Sequence, residues 1–429
     1  MNQISNKFRH LLWPLVSLAL LLLFNAIFTD NFFKIEIKSA DSSKKSVQTA
    51  VPETPHVTDS ARIAPENYEG ASDSAELITE INEAAEEAVE QTQAAAQQPA
   101  PAAPAPQQEE ESKGVSIFGY YLYGTPIDIL NQGAKVMVLA IGMTLVIATG
   151  GIDISVGAVM AIAGAIAALL ISMLDAGNFP GSSLGPNVYW IIPLAAALIL
   201  ATIAGIWNGM LVAGFGIQPM VATLVLMVAG RGVAQLITDG QIITFDNPAL
   251  VFLCNGHALF LPFSIWIVIS MYVIAGLLTR KTAFGLFIES VGNNERASRY
   301  AGIEARRIKW LAYVICGFCA GVAGLLAASN IKCADSNNAG LYLELDAILA
   351  TVIGGTSMAG GRFFLSGSLV GAILIQTLTT TMYMKNVSPA IVQVPKAMVV
   401  IIVCLLQSPV FRAKVLSIFA SKAAKGGVQ

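Results

Sequence analysis

Charge is scarce in this chain. Only 12% of its 429 residues are Asp, Glu, Lys or Arg, against about 25% in soluble domains. So little charge cannot clothe a water-facing surface of this size, which excludes an ordinary soluble enzyme. Histidine is scarcer still, and His10, His56 and His257 lack the spacing of a metal-ligand set. There are five cysteines. Cys316 and Cys319 form a C-x-x-C, but inside the apolar VICGFCAG, which is not the setting of a thioredoxin-like redox motif. Cys254 and Cys333 fall in loops, where a disulfide is an open alternative. No G-x-x-x-x-G-K-[ST] phosphate loop, H-E-x-x-H or nucleophile elbow occurs, so these routes to ATP hydrolysis or covalent catalysis are closed. No catalytic residue and no metal ligand is nominated, and nothing supports nucleic-acid binding.

What is present is apolar sequence: 55% hydrophobic residues and a mean hydropathy of +0.65. Several runs reach the roughly 20 residues that cross a bilayer as a helix. The fold class expected is all-α, a polytopic transmembrane bundle of about ten spans. These lie near 11–28, 133–149, 154–174, 190–214, 217–237, 262–279, 310–329, 344–358, 364–384 and 390–408. Residues 1–38 form a cytoplasmic N-terminus and first span, 115–410 the main helical core, and 411–429 a basic tail. Between them, 39–114 carries 15 Asp/Glu against four Lys/Arg and ends in an Ala/Pro/Gln tract. Such a composition does not fold by itself, and it reads as a mostly disordered extracytoplasmic insert.

The basic residues cluster. The segment 280–309 holds seven Lys/Arg and three Glu between apolar runs, an excess that assigns it to the cytoplasmic face. The tail, with Arg412, Lys414, Lys422 and Lys425, and the short loop at Arg362 fall on the same face, which puts both termini in the cytoplasm. Within 280–309 the spacing predicts a short sealed helix. Asn293 is placed to cap it, Glu295 sits in its first turn, and Gly302 closes it. A capped helix between two spans suits a docking surface.

Other polar residues interrupt apolar runs. Gly150-Gly151 are expected to break one long run into two helices. Asp153 would then open the second, as a helix cap, a partner contact or a pathway ligand. Trp207, Asn208 and Gln218 join it as translocation-pathway candidates, since an indole beside an amide suits a polyol; interhelical bonding is the alternative. Arg231 can snorkel to the interface from the outer end of its span, and both Arg231 and Lys396 are expected to bond between helices or line a pore. The loop 330–346 offers Asp335, Asn337, Asn338, Glu344 and Asp346 as outer-mouth candidates or as caps of the next helix. The pairs Gly205/Gly209, Gly317/Gly321 and Gly367/Gly371 have small-xxx-small spacing, for packing within the chain or in a dimer.

Four stretches carry a resemblance. They are GMTLVIATGGIDISVGAVMAIAGA (142–165), WNGMLVAGFGIQPMVATLVLMVAGRGVAQLI (207–237), GNNERASRYAGI (292–303) and ELDAILATVIGGTSMAGGRF (344–363). With GTPIDILN (124–131), they resemble membrane permease subunits of sugar-type ABC importers, the ribose, xylose and galactofuranose family. Phe363 after Arg362 is similar to the galactofuranose branch. The resemblance implies a separate ATPase with two nucleotide-binding modules, on which ATP and Mg would sit, and no cofactor on this chain. It also implies an extracytoplasmic sugar-binding protein, a second identical or paralogous permease chain, and surrounding lipid in a bacterial inner membrane. The 292–303 helix would be the coupling element, with Gly292, Asn293, Glu295, Arg296, Ala301 and Gly302 at the ATPase interface. The acidic insert departs from the family pattern. Two other classes stay open from the residues alone: an ion-coupled secondary transporter, and a membrane scaffold acting through its insert.

Overall fold

The computed structural model describes residues 14–26, 29, 32–39, 120–175, 190–388, 391–398 and 401. The contacts divide the chain into Met1–Ala40 with Gly114–Gln429, and a second unit, Asp41–Lys113. The second unit, most of the acidic insert, lies outside the described residues, as does the basic tail. Helix α1 (Pro14–Ala26) leads to strand β1 (Glu36–Ser39), which pairs antiparallel with β2 (Tyr120–Tyr123). The ends of the insert are thus joined by a ribbon.

Seven helices among the described residues are long and apolar enough to cross a membrane. They are α2 (Thr125–Ala148), α3 (Val156–Asp175), α4 (Ile191–Gly209), α5 (Pro219–Ile237), α7 (Phe263–Lys281), α10 (Ala305–Ile331) and α12 (Leu365–Met384). A wide π-turn, Met210–Gly214, extends α4. Shorter helices are α6 (Pro248–Asn255), α8 (Ala283–Asn293), α9 (Glu295–Tyr300), α11 (Leu343–Ile353) and α13 (391–398). Two further two-stranded ribbons, Ile243–Thr244 with Cys333–Ala334 and His257–Ala258 with Leu261–Pro262, cap the loops. The chain is therefore a polytopic helical membrane protein, with small ribbons that apolar periodicity did not announce.

The core forms around α10, which packs against α2, α3 and α4. Small residues permit this. A Cβ at Gly205 would stand 2.6 Å from the Tyr313 carbonyl oxygen, and one at Gly317 would stand 2.7 Å from that of Ala201. Gly367 lies backbone to backbone with Gly354, and Gly371 with Ala350. All three small-residue pairs are used inside the chain. The C-x-x-C is inert packing: Cys316 and Cys319 are buried, and they are free, as are Cys254 and Cys333. No disulfide joins the latter two.

One expected span needs correction. The 344–358 run forms only α11, whose 11 residues reach about 16 Å, half of a roughly 30 Å hydrocarbon core. It stops at Gly354 and at Gly355, whose φ is 90°. The missing length is supplied by a re-entrant loop. After α10 the chain reverses at Lys332 and runs back along α3 until Gly340 meets Gly157. Only there does α11 begin, antiparallel to α12. Loop and half-helix together return the chain to the end that bears 282–304, where Gly361 meets Gly292.

Overpacking this seam should destabilise the fold by about 1–3 kcal/mol. Gly317→Val is expected to lower the thermal unfolding midpoint of the detergent-purified protein. Gly276→Val, whose Cβ meets nothing within 4 Å, should leave it nearly unchanged.

Candidate functional site

The basic island folds as a helix, a sharp corner and a second short helix. Thr282 caps α8 by accepting from the Phe284 N–H at 3.2 Å. At the corner, Asn294 rather than Asn293 caps α9, its Oδ1 accepting from the Ala297 N–H at 3.0 Å. Asn293 is instead the last residue of α8, beside Gly361. The tandem asparagines explain the one-residue displacement: both are competent caps, and only the extended backbone of Asn294 aims its amide correctly. The far end closes as expected. Gly302 has φ 84°, its N–H donates to Arg299, and that of Ile303 donates to Ser298, a Schellman closure following Ala301.

Electrostatics fix α9 to the bundle. Glu295 accepts from Lys309 Nζ and from Arg299, each at 2.5 Å. The Lys309 hydrogen bond chiefly, with Arg299 adding to it, holds the Glu295 carboxyl below its ordinary value of 4.5. Arg296, Ala301 and Gly302 are exposed, and Tyr300 is 93% exposed. Tyr300 was missed in the sequence, because an aromatic among charges reads equally well as a buried anchor. Gly292 is not at this surface; it packs on Ala148.

The pathway candidates separate into two groups. Asp153 and Asn208 come together, with Asn208 Nδ2 donating to Asp153 Oδ1 at 3.3 Å and to Ser155 Oγ at 2.8 Å. Asp153 also accepts from the Ser155 N–H at 3.0 Å and hydroxyl at 2.6 Å. All three are fully buried where α3 begins. The cap reading of Asp153 is therefore realised in part, through Ser155, while Asn208 ties α4 to the break. Asn208 Oδ1 has no partner among the described residues. Trp207 and Gln218 do not join them: Trp207 is half-exposed on the opposite face of α4, and Gln218 is exposed ahead of α5.

The outer-mouth candidates also divide. Asp335 organises its loop, accepting from the N–H groups of Asn337 and Asn338 and from the Asn338 amide. Asn337 accepts from Gln235 at 2.7 Å. Arg231 does not snorkel; it donates to the carbonyls of Ser336 and Ala339 at 3.1 and 2.5 Å and so pins the re-entrant loop. Glu344 and Asp346 are not at a mouth. They lie buried in the first turn of α11, where Asp346 pairs with Lys396 of α13 at 2.9 Å. A bare carboxylate at that depth is costly, which explains the pairing. Between α3, α10 and the loop lies a cavity of about 210 Å³, its lining including Lys135, Gly164, Gly324, Asp335 and Asn338. No group of three or more potential metal ligands occurs among the described residues.

The Glu295 clamp has a defined pH window. Because the folded value is depressed, its contribution is complete above the ordinary 4.5 and is lost only as pH falls through the depressed value. Lys309→Met should raise the Glu295 titration midpoint towards 4.5, read by carboxyl ¹³C NMR of labelled protein. An unchanged midpoint contradicts the clamp.

Comparison with known proteins agrees with this geometry. The family described as "Branched-chain amino acid transport system / permease component" matches residues 125–405. The chain is 54% identical over 290 residues to the galactofuranose transporter permease protein of Escherichia coli, covering 68% of this chain and 81% of that one. It is 42% identical over 292 residues to the fructose import permease protein of Bifidobacterium longum, covering 67% and 78%. With the ribose import permease protein of Escherichia coli, identity is 34% over 293 residues, covering 67% and 87%. No solved structure matches. Seven membrane-length helices, a capped basic loop and a family match over the whole helical core lead to one conclusion: the chain belongs to this family of transport-system permease components, and is a transport subunit.

Proposed function

We propose that this chain is the membrane permease of an ATP-binding-cassette importer for a monosaccharide, a furanose or pentose such as galactofuranose or ribose. It sits in the bacterial cytoplasmic membrane with both termini inside. The observation that carries the reading is α9: a six-residue helix sealed at both ends, clamped by Glu295 to α10, with Arg296 and Tyr300 facing outward. A surface built so firmly, yet left exposed on its outer face by the described residues, suits a groove on a separate ATPase. The relatives are sugar permeases by name, and this supports a sugar as cargo.

Gly292, Asn293, Glu295, Arg296, Ala301 and Gly302 then form or position the ATPase contact. An ATPase with two nucleotide-binding modules supplies the energy, an extracytoplasmic sugar-binding protein delivers the cargo, and a second permease chain completes the pathway. Asp335, Asn337 and Asn338 stand at the outer mouth, above the cavity. Asp153 and Asn208 stand at the break, where a rocking motion would open them to the pathway. The broken helix and half-helix would also suit an ion-coupled carrier; family membership favours the ATP-driven reading.

Two experiments test it. Glu295→Lys with Arg296→Glu should weaken co-purification of the genomic-neighbour ATPase by roughly 30-fold, the effect of losing a central interface contact of about 2 kcal/mol. Undiminished association would contradict the assignment of α9. Deleting 41–113 leaves both ribbon strands in place, and sugar uptake should be largely retained; its loss would favour an adaptor role for the insert.

A further inference from the structure

Three backbone segments meet directly above α9, and they meet through glycine. Gly292, two residues before the Asn294 cap of α9, packs so closely that a Cβ there would collide with the Ala148 carbonyl oxygen and the Gly361 nitrogen. That same carbonyl, at the end of α2, accepts the Gly361 N–H at 2.9 Å. A Cβ on Gly360 would stand 2.9 Å from both the Gly150 nitrogen and the Gly292 oxygen. One on Gly361, whose φ is 84°, would collide with the Asn293 side chain. At Gly292 and Gly360 the contacts are backbone to backbone, so no side chain there can give by changing rotamer. Displacement of one backbone must displace the others.

Each arm of the junction leads somewhere specific. From Gly150 the chain reaches Asp153 in three residues, and the Asp153–Ser155–Asn208 cluster ties it to α4. On the way, Tyr313 of α10 closes against Gly151, where a Cβ would stand 2.5 Å from its hydroxyl. From Gly360 and Gly361 the loop runs back to Gly354, the end of the half-helix α11, and forward to α12. The junction therefore touches both interrupted elements of the bundle and the residue next to the docking helix.

We propose that Gly292, Gly360 and Gly361 are positioning residues that convey displacement of α9 at once to the broken start of α3 and to the half-helix α11. This rests on the reading of α9 as the ATPase contact. It goes beyond that reading by naming the route and by requiring that the two interrupted elements respond together. The junction acts through backbone contact, so adding one methyl group is enough to alter it.

Hydrogen–deuterium exchange on the full complex with its ATPase, with and without ATP and vanadate, tests the route. In the wild type, nucleotide trapping should change exchange in 294–303, 149–155 and 354–363 together. Gly292→Ala should keep the response in 294–303 and reduce that in 149–155 by roughly threefold or more, within the range a residue inside a coupling network exerts. Gly276→Ala, in open space, should match the wild type. If Gly292→Ala fails to assemble, Gly361→Ala alone should lose the distal response, and Gly361→Ala with Asn293→Ala should regain part of it, because the colliding side chain is gone. A wild-type-like response at 149–155 in Gly292→Ala, or in Gly361→Ala where Gly292→Ala does not assemble, overturns the junction while leaving α9 as the contact. No response at 294–303 in the wild type overturns both.

Discussion

A helix interrupted inside an apolar medium exposes peptide groups that water cannot reach, and this constraint organises the permease core. The break after Ala148 is made tolerable by local bonds: Gly150 and Gly151 donate back to Ile147 and Val146, and Asp153 collects Ser155 and Asn208. The second interruption, before α11, is held by Arg231 on two carbonyls and by Asp335 on two N–H groups. Asp153, Arg231, Asp335 and Asp346 are thus explained first as partners for backbone or for another polar side chain. Among the described residues, the Asn25 amide nitrogen, the Asn208 oxygen and one Glu344 oxygen are buried without a hydrogen bond.

The interruptions also create the machine's geometry. A continuous helix resists bending, whereas an extended break between rigid helices concentrates motion at a few residues. Here the break after Ala148 and the loop that follows α11 border the same glycine junction, whose Gly292 is one residue from Asn293 and two from the cap of α9. Helix α9, the start of α3 and the end of α11 are therefore neighbours in space although they are separated in sequence. The loop after α10 and the cavity lie against the first turns of α3, from Gly157 to Gly164, and the last turns of α10.

Much of this was legible in the sequence, for identifiable reasons. The near absence of charge marked the membrane class, and the seven basic residues of 280–309 marked the loop that carries α9. Gly150-Gly151 marked the break, because forty apolar residues cannot form one span. What was not legible depended on depth. Glu344 and Asp346 looked like loop residues, since nothing local reveals that the loop re-enters and buries them against Gly157 and Lys396. Arg231 looked like a snorkelling residue because its two carbonyl partners lie more than 100 positions away. Trp207 and Asn208 are adjacent in sequence, yet helical geometry points one outward and buries the other.

The central claim is that this chain moves sugar with energy supplied from a separate ATPase seated on α9. Uptake into proteoliposomes holding the complete complex tests it most directly, with radiolabelled D-ribose, D-fructose and D-galactose presented on their cognate-candidate binding protein. The account predicts accumulation of at least one sugar only when ATP is present on the ATPase side, unaffected by collapsing proton and sodium gradients. Accumulation without ATP that disappears with an ion gradient would contradict it.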